Sequence, residues 1–231
     1  MTSKRDGDLP GAVWFRNAPQ RRRAPALNRD RIVTAAVDLL DRDGIDGLSL
    51  RKLAGGLEVH ATSLYWHVNT KDDVVDLALD EVFAEINLPV GEQAEGRREF
   101  IATYMQQLRA MLLRHPWAAA LAGTRPLAGP NALARSEAVY AALDMAGFTG
   151  AELSAAASAV TNLVVASAST QAAWANQAEA ESRDALQERI AAHDQDYPTL
   201  SKHLAGFLGD WDTQFELTTQ YLLDGLGLQQ Q

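Results

Sequence analysis

SLRKLAGGLEVHATSLYWHVNTK, residues 49–71, is the stretch whose reading decides the fold. It reads as two short helices joined by a tight turn. Ser49 has the side chain to cap the first helix, which runs to about Leu57, and Glu58-Val59-His60 makes the turn. The second helix, over about 61–68, turns Leu64 inward and leaves Ala61, Thr62, Ser63, Tyr65 and His67 pointing away. That layout is a helix-turn-helix, whose second helix lies in the DNA major groove. Small hydroxyl residues at its start let the backbone approach base edges, and Tyr65 and His67, one turn on, reach phosphates.

The surrounding chain supports the motif. Ile32, Ala35, Ala36, Leu39 and Leu40 form a helical stripe that starts at about Asn28 and stops at Gly44. This helix backs the other two. Thr70 with Asp73 three residues on reads as a capping box for a further helix, whose inner face is Val75, Leu79, Val82 and Ile86 and which stops at Asn87-Leu88-Pro89. Beyond it, helices are expected over 97–114, a short stretch to about 122, then 131–146, 150–177 and 210–226. The polar 182–197 segment is expected to be mobile around a short helix. No strand pattern and no internal repeat occurs, so the fold class is all-α. Three parts are expected: a disordered arm over 1–24, a helix-turn-helix domain over 25–71, and a larger helical body over 72–228. In the arm, Arg21-Arg22-Arg23 is either a minor-groove reader or a solvated tail. Trp14-Phe15 has no explanation there.

Composition sets independent bounds. The chain of 231 residues has no cysteine, which excludes disulfides and thiolate metal sites. No apolar run of membrane-spanning length and no signal peptide is read from it, so the expected location is cytoplasmic, off the membrane. The net charge of −9 is split unevenly. Residues 1–71 carry 12 Lys and Arg against 8 Asp and Glu, whereas residues 72–231 carry 9 against 22. A basic head on an acidic body fits a DNA reader whose other domain stays off DNA, although an acidic body also serves solubility.

Catalysis has no sequence support. There is no Gly-rich phosphate loop, no nucleophile elbow and no His-Glu-x-x-His motif, so no catalytic residue, metal site or cofactor is assigned. His193, Asp194, Asp196 and His203 are close in sequence, but their spacing matches no metal pattern and their segment is polar. A solvated surface is the reading taken.

The residues of the motif resemble a known family. Ser49-Leu50-Arg51-Lys52-Leu53-Ala54, Leu57-x-Val59, Ser63-Leu64-Tyr65-Trp66-His67-Val68 and Lys71 look like the DNA-binding domain of TetR-family repressors, and the Tyr-Trp-His-Val string points to the tetracycline repressor branch. Gly123-Thr124-Arg125-Pro126 matches that branch's ligand-responsive turn, so the resemblance spans about residues 25–225. It implies that Arg51 reaches a base or phosphate, that Ala61, Thr62 and Ser63 read bases, and that Tyr65, Trp66, His67 and Lys71 make backbone and adjacent contacts. Trp66 has a second reading, as packing between helices. Two departures point to a different operator. Ala61 cannot hydrogen-bond a base edge, and Glu58 stands where the turn glycine is usual, so the turn is expected to be reshaped. Gly55-Gly56 also weakens its helix by about 1 kcal/mol per glycine.

The same resemblance implies a small-molecule inducer, double-stranded operator DNA and a homodimer. Leu121 stands where the branch has a magnesium-binding histidine, and the other such histidine falls near Asn87, so magnesium is not implied. A pocket lined by Tyr104, Leu108, Leu121, Thr124, Arg125, Glu137, Asn162, Thr170 and Trp174 is inferred, each of which also reads as ordinary core. Its walls suit a hydrophobic or amphipathic molecule, with Arg125 either pairing with an acidic group on it or capping a helix. The small-sided helix over 152–174, with Ala156, Ala159 and Ser167, and the stripe Trp211, Phe215, Thr218 and Leu222 are expected to pair with a symmetry mate; core packing is the other reading. The leading function is therefore a ligand-responsive transcriptional repressor. The alternative is a small all-α enzyme or ligand carrier whose helix-turn-helix is structural. Inducer, operator, regulated genes and the choice between repression and activation lie beyond the sequence.

Overall fold

The computed structural model describes residues 27–89, 96–174, 177–204 and 210–228, and every regular element among them is a helix. The N-terminal arm with Trp14-Phe15 and Arg21-Arg22-Arg23 lies outside the described residues. Helix α1 (Arg29–Gly47) starts at Asn28, whose side chain accepts a hydrogen bond from the Arg31 N–H at 2.9 Å. Gly44 leaves the helical region at φ 68°, a conformation that costs glycine nothing, so the regular helix ends where expected and a turn carries on to Gly47. Helix α2 (Leu50–Gly56) is capped by Ser49, whose Oγ accepts from Lys52 N–H, and α3 (Ala61–Leu64) is the short second helix of the motif.

Glu58 sits between them at φ 57°, the only non-glycine residue at positive φ among the described ones. Glu58 thus adopts the left-handed conformation that favours glycine, at a cost of about 1 kcal/mol.

Helix α4 (Lys71–Phe83) begins at the expected capping box. Thr70 Oγ1 accepts from Asp73 N–H at 3.0 Å, and Asp73 accepts from Asn69 N–H at 2.9 Å. The helix is covered on nearly every side, because α1 packs on one face and the body on the other. Its buried positions include Asp73, Asp76 and Asp80, which apolar periodicity alone does not anticipate.

The body contains α5 (Gly96–Arg114), α6 (Pro116–Ala122), α7 (Pro130–Met145), α8 (Gly150–Ala173), α9 (Gln177–Ala192), α10 (Pro198–Lys202) and α11 (Trp211–Gly225). The segment expected to be mobile is instead the regular helix α9, followed by α10, whose first residue is Pro198. The described core is one cluster that runs from Ile32 through α4 to Leu228.

Helix α8 packs most extensively on α5 and also on α6 and α7. It carries no charge beyond Glu152, and by length and composition it reaches membrane-spanning size, which corrects the reading that no apolar run does so. Its apolar character serves packing: Ala156, Ala157, Val160, Val164 and Ala168 are buried against the body. Ala156 is thus core and not a dimer contact. The uncovered face is a different stripe, with Ala151, Ala155, Ser158, Asn162, Ala166 and Thr170 exposed. On α11, Phe215, Thr219 and Leu223 face inward, while Leu217 and Tyr221 are exposed one turn apart. Arg109 ties α11 to the body, donating to Gln171 at 2.6 Å and Asp212 at 2.7 Å with its guanidinium 4.8 Å from the Phe215 ring centre.

Candidate nucleic-acid interface and ligand cavity

The helix-turn-helix presents one polar and aromatic surface. Leu53, Ala54, Leu64 and Val68 are buried and fix the three helices against one another. Arg51, Thr62, Tyr65 and Trp66 are exposed on it, and Ala61, Ser63 and His67 are partly so. The recognition helix is shorter than expected, ending at Leu64, so Tyr65, Trp66 and His67 occupy the turn after it. Trp66 is 80% exposed, which overturns its reading as interhelical packing. An indole held in water is unfavourable unless something covers it. Lys71 is partly committed: its Nζ donates to the Ile45 carbonyl at 2.7 Å, closing α4 against the end of α1 and leaving its other N–H donors for a phosphate.

Three carboxylates one turn apart on α4 join this head to the body. Asp72 and Asp76 both accept from Arg125 of the Gly-Thr-Arg-Pro turn, with Asp76 Oδ1 at 2.6 Å from Nη1. Burial pulls the Arg125 pKa down, but the hydrogen bonds to Asp72 and Asp76 outweigh it and the net shift is upward. Its two carboxylates are therefore already in place, which corrects the reading of Arg125 as a partner for a ligand acid or as a helix cap. Asp80 accepts from Ala132 N–H at 2.9 Å and from Asn131 N–H and Nδ2 at 3.3 and 3.1 Å. It caps α7 from another helix, supplying what the Gly129 N-cap lacks. Gly129 is required here because a Cβ would collide with the Asp80 carboxyl.

A second junction lies at the α5–α6 break. The buried His115 ring sits between Asp41 of α1, 2.7 Å from Nδ1, and Glu85 after α4, 3.0 Å from Nε2. Trp117 Nε1 donates to the same Asp41 oxygen at 2.6 Å, and Arg114 pairs with Glu85. The head is thus gripped at both ends of α4.

The nine residues expected to form the pocket do not converge. Tyr104 and Leu108 are buried in the core, and burial pushes the Tyr104 phenol pKa up, partly offset by its hydrogen bond with Thr161. Thr124 is exposed and bonds back to the α6 carbonyls of Ala120 and Leu121. Glu137, Asn162 and Thr170 face solvent on this chain, while Leu121 and Trp174 are half-buried. None of the nine lines the apolar cavity, which lies instead between the end of α4, the start of α5, and α7. It measures about 780 Å³ and is walled by Ile86, Leu88, Phe100, Ala138, Ala142 and Met145. Asn87, placed by the sequence at the end of the α4 segment, is on its rim with Arg97 and Arg135. Arg135 donates from Nε to Ile86 O and from Nη2 to Ala84 O, both at 3.1 Å, so one wall of the cavity holds the last carbonyls after α4. A second groove of about 800 Å³ between α5 and α11 is spanned by the Arg98–Asp224 and Arg109–Asp212 pairs, with Arg109 Nε and the Thr219 hydroxyl buried there without an acceptor or donor partner.

An exposed recognition surface on a three-helix head, clamped to a helical body with an apolar cavity, defines a helix-turn-helix regulator. Residues 89–229 match the family model described as tetracyclin repressor-like, C-terminal domain. The chain is 56% identical over 225 residues to an HTH-type transcriptional regulator of Saccharopolyspora erythraea, covering 97% of this chain and 94% of that one. It is 31% identical to the HTH-type transcriptional repressor DrrR1 of Streptomyces coeruleorubidus, covering 90% and 80%. The solved structure of ActR from Streptomyces coelicolor in complex with actinorhodin superposes with a TM-score of 0.79 at 29% identity, over 88% of this chain and 96% of that one. The chain belongs to the tetracycline repressor-like family, and it is a transcriptional regulator, not an enzyme.

Proposed function

We propose that this regulator represses transcription by binding a palindromic operator as a homodimer, and that a small apolar ligand in the α4–α5–α7 cavity releases it. The observation that carries this reading is Arg135, which lines the cavity and at the same time holds the Ala84 and Ile86 carbonyls. A ligand that displaces Arg135 frees the end of α4, which packs on α1 of the head and is tied to the body through Asp72, Asp76 and Asp80. ActR, a similar protein, has been solved in complex with the small molecule actinorhodin.

Base reading is assigned to Arg51, Thr62 and Ser63, close backbone approach to Ala61, and phosphate or flanking contacts to Tyr65, Trp66, His67 and Lys71. The dimer is assigned to the exposed α8 stripe with Leu217 and Tyr221 of α11. Small side chains there permit close helix approach, and two copies place two recognition helices on successive grooves. DNA binding places the protein's work in the cytoplasm.

The test is a gel shift on the DNA upstream of its own gene at graded salt, with and without candidate ligands. Binding should weaken steeply with salt. Ala138→Trp, which fills the cavity, should keep DNA binding and lose ligand release. A variant that still releases normally would contradict the assignment of the site.

A further inference from the structure

We propose that the ligand of the α4–α5–α7 cavity carries an acidic group, and that Arg97 receives it. This rests on the reading of that cavity as the inducer site. The walls are apolar, and among the described residues the charged side chains that line them are Arg97 and Arg135, with no carboxylate. Arg135 is occupied by the Ala84 and Ile86 carbonyls. Arg97 differs: among the described residues it has no hydrogen-bond or ion-pair partner, and its Nε is shut off from solvent with no acceptor.

The other arginines of α5 have acceptors for their terminal nitrogens, although the Arg109 Nε is likewise buried without one. Arg98 holds Asp224 and the Leu228 carbonyl, Arg109 holds Asp212 and Gln171, and Arg114 holds Glu85. A guanidinium has five N–H donors in a fixed fork, and a buried donor without an acceptor is costly. Arg97 therefore stands at the edge of an apolar cavity with a guanidinium that has no partner among the described residues. Its complement is a planar or tetrahedral oxyanion, a carboxylate or a sulfonate, on a skeleton of drug size. A cationic ligand is disfavoured, since among the described residues it would meet two guanidinium groups and no carboxylate.

Two fluorescent probes separate the contributions, because anilinonaphthalene sulfonate and N-phenylnaphthylamine share one skeleton and differ in the sulfonate. Both are titrated into the full-length protein, with stoichiometry from calorimetry. The wild type should prefer the sulfonate by about tenfold or more, the worth of a charge-assisted hydrogen bond. Arg97→Met should abolish the preference and leave the amine's affinity within about twofold. Arg97→Lys should restore part of it, as a charge without the fork. A wild type without preference overturns the proposal, as does Arg97→Met that keeps it. Ala138→Trp tells that failure from failure of the site itself: it should eliminate binding of both probes, and if both still bind, the cavity is not the ligand site.

Discussion

Replacing Asp80 with alanine should destabilise the protein by about 2–4 kcal/mol, because one buried carboxylate caps α7 from α4. Three donors lose their acceptor: Ala132 N–H, Asn131 N–H and Asn131 Nδ2. Ala132 is 1% exposed, so its N–H finds no water and carries the full penalty of an unmet buried donor, about 1–3 kcal/mol. Asn131 is half-buried and recovers hydration, so its share is smaller. Loss of a negative charge at the α7 N-terminus adds about 0.5–1 kcal/mol. Asp80→Asn keeps an oxygen for Ala132 N–H and should cost only about 1–2 kcal/mol. Gly129→Ala attacks the same contact from the other side, so the double variant with Asp80→Ala should cost clearly less than the sum of the singles. Urea unfolding at one fixed protein concentration measures all four, the concentration being held because assembly shifts apparent stability. A loss below about 0.5 kcal/mol for Asp80→Ala, or strict additivity with Gly129→Ala, would refute this account of the α4–α7 contact.

Other outcomes follow from the same contacts. Glu58→Gly relieves the left-handed turn residue and should raise stability by about 1 kcal/mol, read from thermal or urea unfolding. His115→Ala removes the ring between Asp41 and Glu85; it should cost about 2 kcal/mol in unfolding and reduce the factor by which ligand lowers operator affinity. Ser158→Arg puts a charge on the exposed α8 stripe and should give a folded monomer with weakened operator binding, whereas Ala156→Arg, in the core, should unfold the chain; sedimentation and circular dichroism distinguish the two. Ligand release of DNA should be the same with and without a magnesium chelator, since Leu121 offers the metal no ligand.

The head was readable from sequence because its signals are local. Asn28, Ser49 and Thr70 cap helices through their own side chains, and Leu64 is the one inward residue of a four-residue helix. Glu58 shows the limit of such reading: its departure from glycine was visible, but whether the turn would yield or the residue would strain is decided by the packing of α2 and α3. The apolar cavity was not readable. Its walls come from α4, α5 and α7, and alanines at helical spacing look the same whether they line a cavity or pack against a neighbour. The expected lining followed helical facing, which put Leu108 and Tyr104 into the core. One signal does lie in the sequence: Asp72, Asp76 and Asp80 recur every fourth residue along α4, a pattern that marks a face with polar partners. On α8 the small residues run around most of the helix, so sequence could not tell the core stripe with Ala156 from the open one with Ser158.

In vitro selection of random duplex DNA by the full-length protein tests the central claim most directly. The account predicts enrichment of one palindromic site with half-sites about one helical turn apart, bound by a dimer, with sequence preference altered by Thr62→Ala and Ser63→Ala and overall affinity lowered by Lys71→Ala. Selection that enriches no common sequence, or enrichment unaffected by any of these three variants, would contradict it.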